Sequence, residues 1–227
     1  DKRDANTPAY LSAFPYVNGG LFRDEYNIPK FTTRSRSLLL EVGQLQWSQI
    51  NPDIFGSMIQ AVVTPEHRGG MGMHYTSVPN IMKVIEPLFL DELYSEFEKS
   101  YESKTKLQNL LNRLAKIKIF DPACGSGNFL IIAYKKLREL EMSILQRIEA
   151  LSKERTFVFS EIRLTQFYGI ELDDFAHEVA MLSLWLAEHQ MNLEFYKAFG
   201  RTSPSLPLHD GGHIVHGNAT RIEWEEV

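Results

Sequence analysis

The longest regular pattern in the chain starts at Phe129. Phe129, Leu130, Ala133, Leu137, Leu140, Ile144, Leu145 and Ile148 recur at helical spacing, and they predict a helix from Phe129 to about Glu154, roughly seven turns. Lys135, Lys136, Arg138 and Arg147 alternate with Glu139, Glu141 and Glu149, which reads as a solvated face of mixed sign. A second helix is expected after Leu172-Asp173-Asp174, whose two acids suit a first turn. Phe175, Val179, Leu182 and Leu186, with Trp185 beside them, supply its apolar side. Three short apolar runs break this helical text: Ile117 to Phe120, Phe167 to Glu171, and Ile214 to Gly217. Each reads as a buried strand.

Upstream the pattern stays helical. Ser77 is an N-cap candidate with Pro79 in the first turn, and Ile81, Val84, Ile85, Leu88 and Phe89 form a stripe. Asp91 through Phe97 and Leu107 through Leu114 continue in the same way. Leu38, Leu39, Val42 and Leu45 predict an earlier helix. Ile54, Phe55, Met58, Ile59 and Val62 predict another, entered through Asn51-Pro52 and closed by Thr64-Pro65. Residues 1 to about 35 are punctuated by Pro8, Pro15, Gly19, Gly20 and Pro29 and read as irregular. Within them Phe14 to Phe22 is an apolar segment expected to pack on something larger. The expected division is a helical connector over 1–66 and an α/β domain over 67–227, opening with the glycine-rich stretch His67 to Met73. Strands alternating with helices predict a mostly parallel sheet, with ligands beyond the carboxyl ends of the strands.

Composition narrows the class. The chain has 227 residues, 44% hydrophobic and 23% charged, as ordinary globular proteins do. No apolar run is long enough for a bilayer, so no membrane partner is expected. One cysteine, Cys124, excludes an internal disulfide or a multi-cysteine zinc site. With no targeting segment visible, the expected location is cytoplasmic. The net charge of −5 does not suit a nucleic-acid surface, so any DNA-gripping part is expected elsewhere.

All three strand ends carry polar residues. Asp121-Pro122-Ala123-Cys124-Gly125-Ser126-Gly127-Asn128 leads from the first strand into the long helix. Glycines there allow positive φ and a close approach of backbone N–H groups to a ligand. Asp121 either orients this turn or touches the ligand. Glu171 ends the second strand and suits a vicinal diol. Asn218 follows the third, and its amide can accept and donate as an adenine edge requires. Leu130 stands where a dinucleotide fingerprint wants its third glycine, and Glu171 lies 44 residues beyond Gly127, where an acid about 20 residues on is wanted. Both departures count against a nicotinamide site. A purely structural turn in another α/β protein remains an alternative. Cys124 reads as a small side chain packed under the turn. Asp173 and Asp174 read as helix-start charge, and His209, His213 and His216 have no cysteine to complete a zinc set, so no metal is expected.

The turn from Asp121 through Leu130 resembles the S-adenosylmethionine loop of the DNA adenine-N6 methyltransferases. His74-Tyr75-Thr76-Ser77 is similar to the segment that covers the methionine part of that cofactor, Tyr168 to Asp173 to its ribose-binding strand end, and His216 to Thr220 to its adenine-binding turn. Many members have Asp where this chain has Asn218. Pro15 to Phe22 and Ile54 to Ser57 look like the MmeI-like (Type IIG/IIL) single-chain restriction-modification proteins. The resemblance implies a Rossmann-like S-adenosylmethionine-dependent core behind an N-terminal helical extension. It implies cofactor contacts at His74, Tyr75, Thr76, Asp121, Pro122, Ala123, Cys124, Gly125, Gly127, Asn128, Glu171, Leu172, Asn218 and Ala219. Double-stranded DNA is the implied partner. The family's Asp/Asn-Pro-Pro-Tyr/Phe motif, which holds a flipped adenine, is absent, because the only Asn-Pro is Asn51-Pro52 and Asp53 follows it. No catalytic residue is therefore assigned, and the chain is expected to be a fragment with the cofactor half of the site. Rival expectations are a methyltransferase of protein, RNA or a small molecule, and a non-catalytic docking module.

Overall fold

The computed structural model describes residues 8–12, 30–45, 54, 76–152, 159–200 and 212–227. The expected packing of Phe14 to Phe22, the helix entered through Asn51-Pro52 (Ile54 apart), the glycine-rich stretch from His67, and His74 and Tyr75 lie outside these residues. The chain divides into two compact units, Asp1–Leu45 and Gln46–Val227.

The first unit contains α1 (Ala9–Ser12) and α2 (Thr33–Gly43). The Thr32 hydroxyl caps α2 by accepting from Ser35 N–H at 3.2 Å. Leu38, Leu39 and Val42 do share this helix, and all are exposed. Leu45 falls beyond its end.

The second unit begins with α3 (Val78–Ile85), a π-helical turn over Glu86–Leu90, α4 (Asp91–Ser100) and α5 (Lys104–Leu114). Ser77 stands at the N-cap position of α3 without a capping bond from its side chain. The expected stripe of α3 holds for Ile81 and Ile85, fails at Val84, which is exposed, and slips after Ile85. Leu88 is 72% exposed and Leu90 takes the buried place instead. Pro87 has no N–H to continue the α-helical ladder, and the wider π turn rotates the residues after it by about one position.

The core follows: β1 (Ile119–Asp121), α6 (Asn128–Ser152), β2 (Phe167–Glu171), α7 (Asp174–Phe199) and β3 (His213–His216). The three strands form a parallel sheet in the order β1-β2-β3, so the expected α/β class and parallel pairing hold. α6 packs between α5 and α7, and its whole expected stripe is buried except Phe129, which is half-buried. Gln166 joins the strands' entry points: its Nε2 donates to the carbonyls of Leu114 at 3.0 Å and Ile117 at 2.8 Å.

Two expectations fail here for physical reasons. Arg138 and Glu141 do not lie on a solvated face; both are 1% exposed. Arg138 sits between α6 and α7, donating to Tyr134 Oη at 2.6 Å and Asn192 Oδ1 at 3.1 Å. Its Nε lies 3.3 Å from Glu141 Oε2 without making a hydrogen bond. Glu141 accepts from Ser160 Oγ at 2.6 Å and Glu161 N–H at 2.7 Å. A mixed-sign run therefore held a buried ion pair whose members each hydrogen-bond to other groups, which is how charges tolerate low dielectric. On α7 the buried line is Ala176, Val179, Ala180, Ser183, Leu184 and Ala187, while Phe175 is exposed and Leu182, Trp185 and Leu186 are half-buried. Small residues face inward because α7 lies close against the glycine turn. A Cβ added at Gly127 would stand 3.3 Å from Ala180 Cβ.

Candidate functional site

The carboxyl ends of the three strands meet at one edge of the sheet, and the turn after β1 is folded against the end of β2. Asp121 Oδ1 accepts from Ala123 N–H at 3.0 Å, so Asp121 does orient the turn. Cys124 N–H donates to the Ile170 carbonyl at 3.1 Å, and Gly127 N–H donates to that of Cys124 at 2.8 Å. Gly125 and Gly127 take φ of +56° and +82°, values that side-chain-bearing residues rarely adopt. A Cβ at Gly125 would meet nothing within 4 Å, so that side of the turn is open.

Glu171 is the hub. Its Oε2 accepts from Gly125 N–H at 2.8 Å and its Oε1 from Asp173 N–H at 2.8 Å. The carboxylate thereby ties the turn after β1 to the turn after β2. The expectation that turn N–H groups face a ligand is corrected for Ala123, Cys124, Gly125 and Gly127, whose N–H groups are all donated within the protein. What they build is a preset shape. Glu171 keeps lone pairs for further donors, since two oxygens offer about four acceptor sites. Burial raises the Asp121 carboxyl above its usual range; the Ala123 N–H opposes this, and the neighbouring Glu171 charge adds to it.

Cys124 is buried beneath the turn, as expected from sequence. Burial first, and then the charges of Asp121 and Glu171, push its thiol far above the usual range, which disfavours the thiolate that a nucleophile needs. It occupies the space over Gly169: a Cβ there would lie 2.9 Å from Cys124 Sγ and 3.0 Å from Ile214 Cδ1. Gly169→Ala should therefore destabilise the fold by about 1–3 kcal/mol through overpacking, read as a lower urea midpoint. A loss under about 0.5 kcal/mol would show that strand and turn separate freely.

The third strand end is held from several sides. Gly217 N–H donates to the Glu171 carbonyl at 2.8 Å. Asn218 Oδ1 accepts from Thr220 N–H at 2.9 Å and Thr220 Oγ1 at 2.7 Å, a local Asx turn. Trp224 Nε1 donates to the Ala219 carbonyl at 2.7 Å, and its ring meets Phe120 edge-on at 5.1 Å. Sequence reading missed Trp224 and Phe120, since neither belongs to a motif; an aromatic in the otherwise charged stretch Glu223 to Glu226 was the only hint.

Thr76 lies just before α3. Val78 and Phe129 pack against the same cluster of Ile81, Ile85, Leu90 and Ile132. That cluster sets the starts of α3 and α6 side by side, Thr76 near one and Asn128 at the other. Leu172 is exposed in the turn after β2, and Pro122 is half-buried after β1.

Relatives match this chain closely. It is 57% identical over 229 residues to DNA methyltransferase A of Bacillus subtilis (strain 168), covering 100% of this chain and 26% of that protein. A putative type II restriction enzyme and methyltransferase of Methanocaldococcus jannaschii is 33% identical over 233 residues, covering 82% of this chain and 19% of that relative. A solved structure of the Type IIL restriction-modification enzyme MmeI in complex with DNA superposes with a TM-score of 0.85 at 41% identity, over 99% of this chain and 30% of that one. The chain thus spans about a quarter of the Bacillus relative's length. Residues 97–227 match the family described as MmeI, DNA-methyltransferase domain. With the parallel sheet and the glycine turn already in place, that match settles the membership: this chain belongs to the MmeI DNA-methyltransferase family.

Proposed function

We propose that this chain is the S-adenosylmethionine-binding part of a site-specific DNA methyltransferase, acting on adenine N6 within a restriction-modification system. The observation that carries the reading is the Glu171 carboxylate, which fastens the glycine turn to the end of β2 and still has acceptor capacity for a ribose diol. The residues fit the cofactor in chemistry. Asp121 to Asn128 would border the methionine portion, with His74, Tyr75 and Thr76 as its cover. Glu171 and Leu172 would hold the ribose, and Asn218 with Ala219 would frame the adenine. Because Asn218 Oδ1 is taken by Thr220, its NH2 is the group left to meet an adenine ring nitrogen. When bound, S-adenosylmethionine supplies an electrophilic methyl group.

No Asn-Pro-Pro-Tyr-type motif occurs in this chain, and none of its residues is assigned to the chemistry on the acceptor base. DNA as substrate is supported by the MmeI relative's complex with DNA. With a net charge of −5, most phosphate contacts would come from elsewhere. Among the described residues no helix is long and apolar enough to cross a membrane.

The test is calorimetric titration with S-adenosylhomocysteine and, in parallel, NAD. Saturable heat with the first and none with the second is expected. Binding of NAD alone would replace the methyltransferase reading with a nicotinamide one.

A further inference from the structure

At Asn218 and Ala219, in the turn after β3, every acceptor is engaged and donors are left over. The Asn218 carbonyl accepts from Arg221 N–H at 2.8 Å and from Ile222 N–H at 3.1 Å. Asn218 Oδ1 accepts from Thr220 N–H at 2.9 Å and Thr220 Oγ1 at 2.7 Å. The Ala219 carbonyl accepts from Trp224 Nε1 at 2.7 Å. The Asn218 NH2 and the Ala219 N–H have no partner among the described residues.

The peptide between Ala219 and Thr220 is held at both ends, its C=O by the Trp224 indole and its N–H by Asn218 Oδ1. A peptide unit is planar, so its C=O and N–H turn together. Releasing the carbonyl therefore loosens the N–H, and with it the Asn218 amide whose oxygen that N–H holds. Trp224 has its own support. Its ring stands edge-on to Phe120 at a centroid distance of 5.1 Å, and Phe120 is the β1 residue just before Asp121. The indole thus links the third strand end to the first across β2, as Glu171 links the second to the first. A ring left 55% exposed gains little from burial, so its N–H bond carries more of the reason for its place.

We infer that Trp224 is a positioning residue for the nucleobase, acting through the Ala219–Thr220 peptide on Asn218 to set a preference for adenine. The inference rests on the cofactor reading above. An Asn218 amide with its oxygen held presents its NH2, which suits adenine N1, an acceptor, and opposes hypoxanthine, whose N1 carries a proton. Donor set against donor leaves polar groups unpaired, which is how a hydrogen-bonding site rejects a ligand of nearly the same shape. With the indole N–H gone, the amide can turn over and offer Oδ1 instead, and the preference fades.

The test titrates the full-length protein that carries this chain with S-adenosylhomocysteine and, separately, with S-inosylhomocysteine, its deaminated analogue. Wild type should favour the adenine form by at least about tenfold. Trp224→Phe keeps a ring against Phe120 and removes the N–H. It should bind S-adenosylhomocysteine about five- to tenfold more weakly, and its preference over S-inosylhomocysteine should shrink to about twofold or less. The ratio of the two affinities is the readout, because a loss of fold weakens both ligands alike. Phe120→Leu, which takes away the support of the ring but not its N–H, should give an intermediate ratio. In an Asn218→Ala background, Trp224→Phe should have no further effect, because it acts through that amide. No adenine preference in wild type, an undiminished ratio in Trp224→Phe, or a loss that adds in full to that of Asn218→Ala would overturn the assignment and leave the cofactor reading in place. Failure of wild type to bind either ligand would overturn both.

Discussion

Glu171→Ala is expected to weaken S-adenosylhomocysteine binding on the order of 100-fold, the larger part of any single-residue effect on this pocket. Two losses combine. On the proposed reading the ribose hydroxyls would lose a charged acceptor, and bonds to charged groups are worth about 1.5–3 kcal/mol each. The Gly125 and Asp173 N–H groups also lose their shared partner, so the glycine turn is no longer held in shape before the ligand arrives. Glu171→Gln should be impaired too. Both carboxylate oxygens accept from N–H groups, and an amide must turn its NH2 onto one of them, setting donor against donor. Calorimetry on the three proteins checks this. Equal affinity for wild type and Glu171→Ala would refute the role of Glu171 and, with it, the arrangement of the pocket.

Glu141→Ala should be the most destabilising change in the described core, by about 3–5 kcal/mol, because it strips a buried charge pair of one partner. It takes from Arg138, 1% exposed, one of the carboxylates that face it, Glu188 being another, and it strips the Glu161 N–H of its acceptor, while Ser160 Oγ keeps the Ile162 carbonyl at 3.3 Å. The segment they belong to leads straight into β2, so the loss reaches Glu171 as well. Burial raises the Glu141 carboxyl above its ordinary range even though Ser160 and Arg138 pull it down. Desolvation therefore outweighs pairing, which is why the pair is tolerated only as part of a network. Glu141→Gln keeps an acceptor for the Glu161 N–H and should fall between wild type and Glu141→Ala. Urea denaturation monitored by circular dichroism measures all three. A Glu141→Ala midpoint corresponding to less than about 1 kcal/mol would mean that water reaches Arg138 and replaces the carboxylate.

The sequence by itself determined the alternation of helices and strands, β2 from Phe167 to Glu171, the parallel pairing, and the polar character of the three strand ends. These are set by side-chain periodicity and glycine conformation, which are local and legible one residue at a time. It also placed Cys124 under the turn, because a small apolar side chain in a glycine loop has little else to do. Only the tertiary structure decided who meets whom. Arg138 and Glu141 read as solvated until α7 and the segment at Ser160 closed over them. α7 turned its alanines inward because the glycine turn approaches at Ala180, a distance that hydrophobicity does not encode. Pro87 shifted the stripe of α3 through a backbone bond it cannot make. Glu171 proved to be committed to Gly125 and Asp173, and Asn218 to Thr220. His216 came to stand beside Asp174 only because β3 lies next to β2 and α7. Each of these outcomes depends on contacts between residues far apart in the chain, or on backbone groups whose partners are chosen when the elements pack.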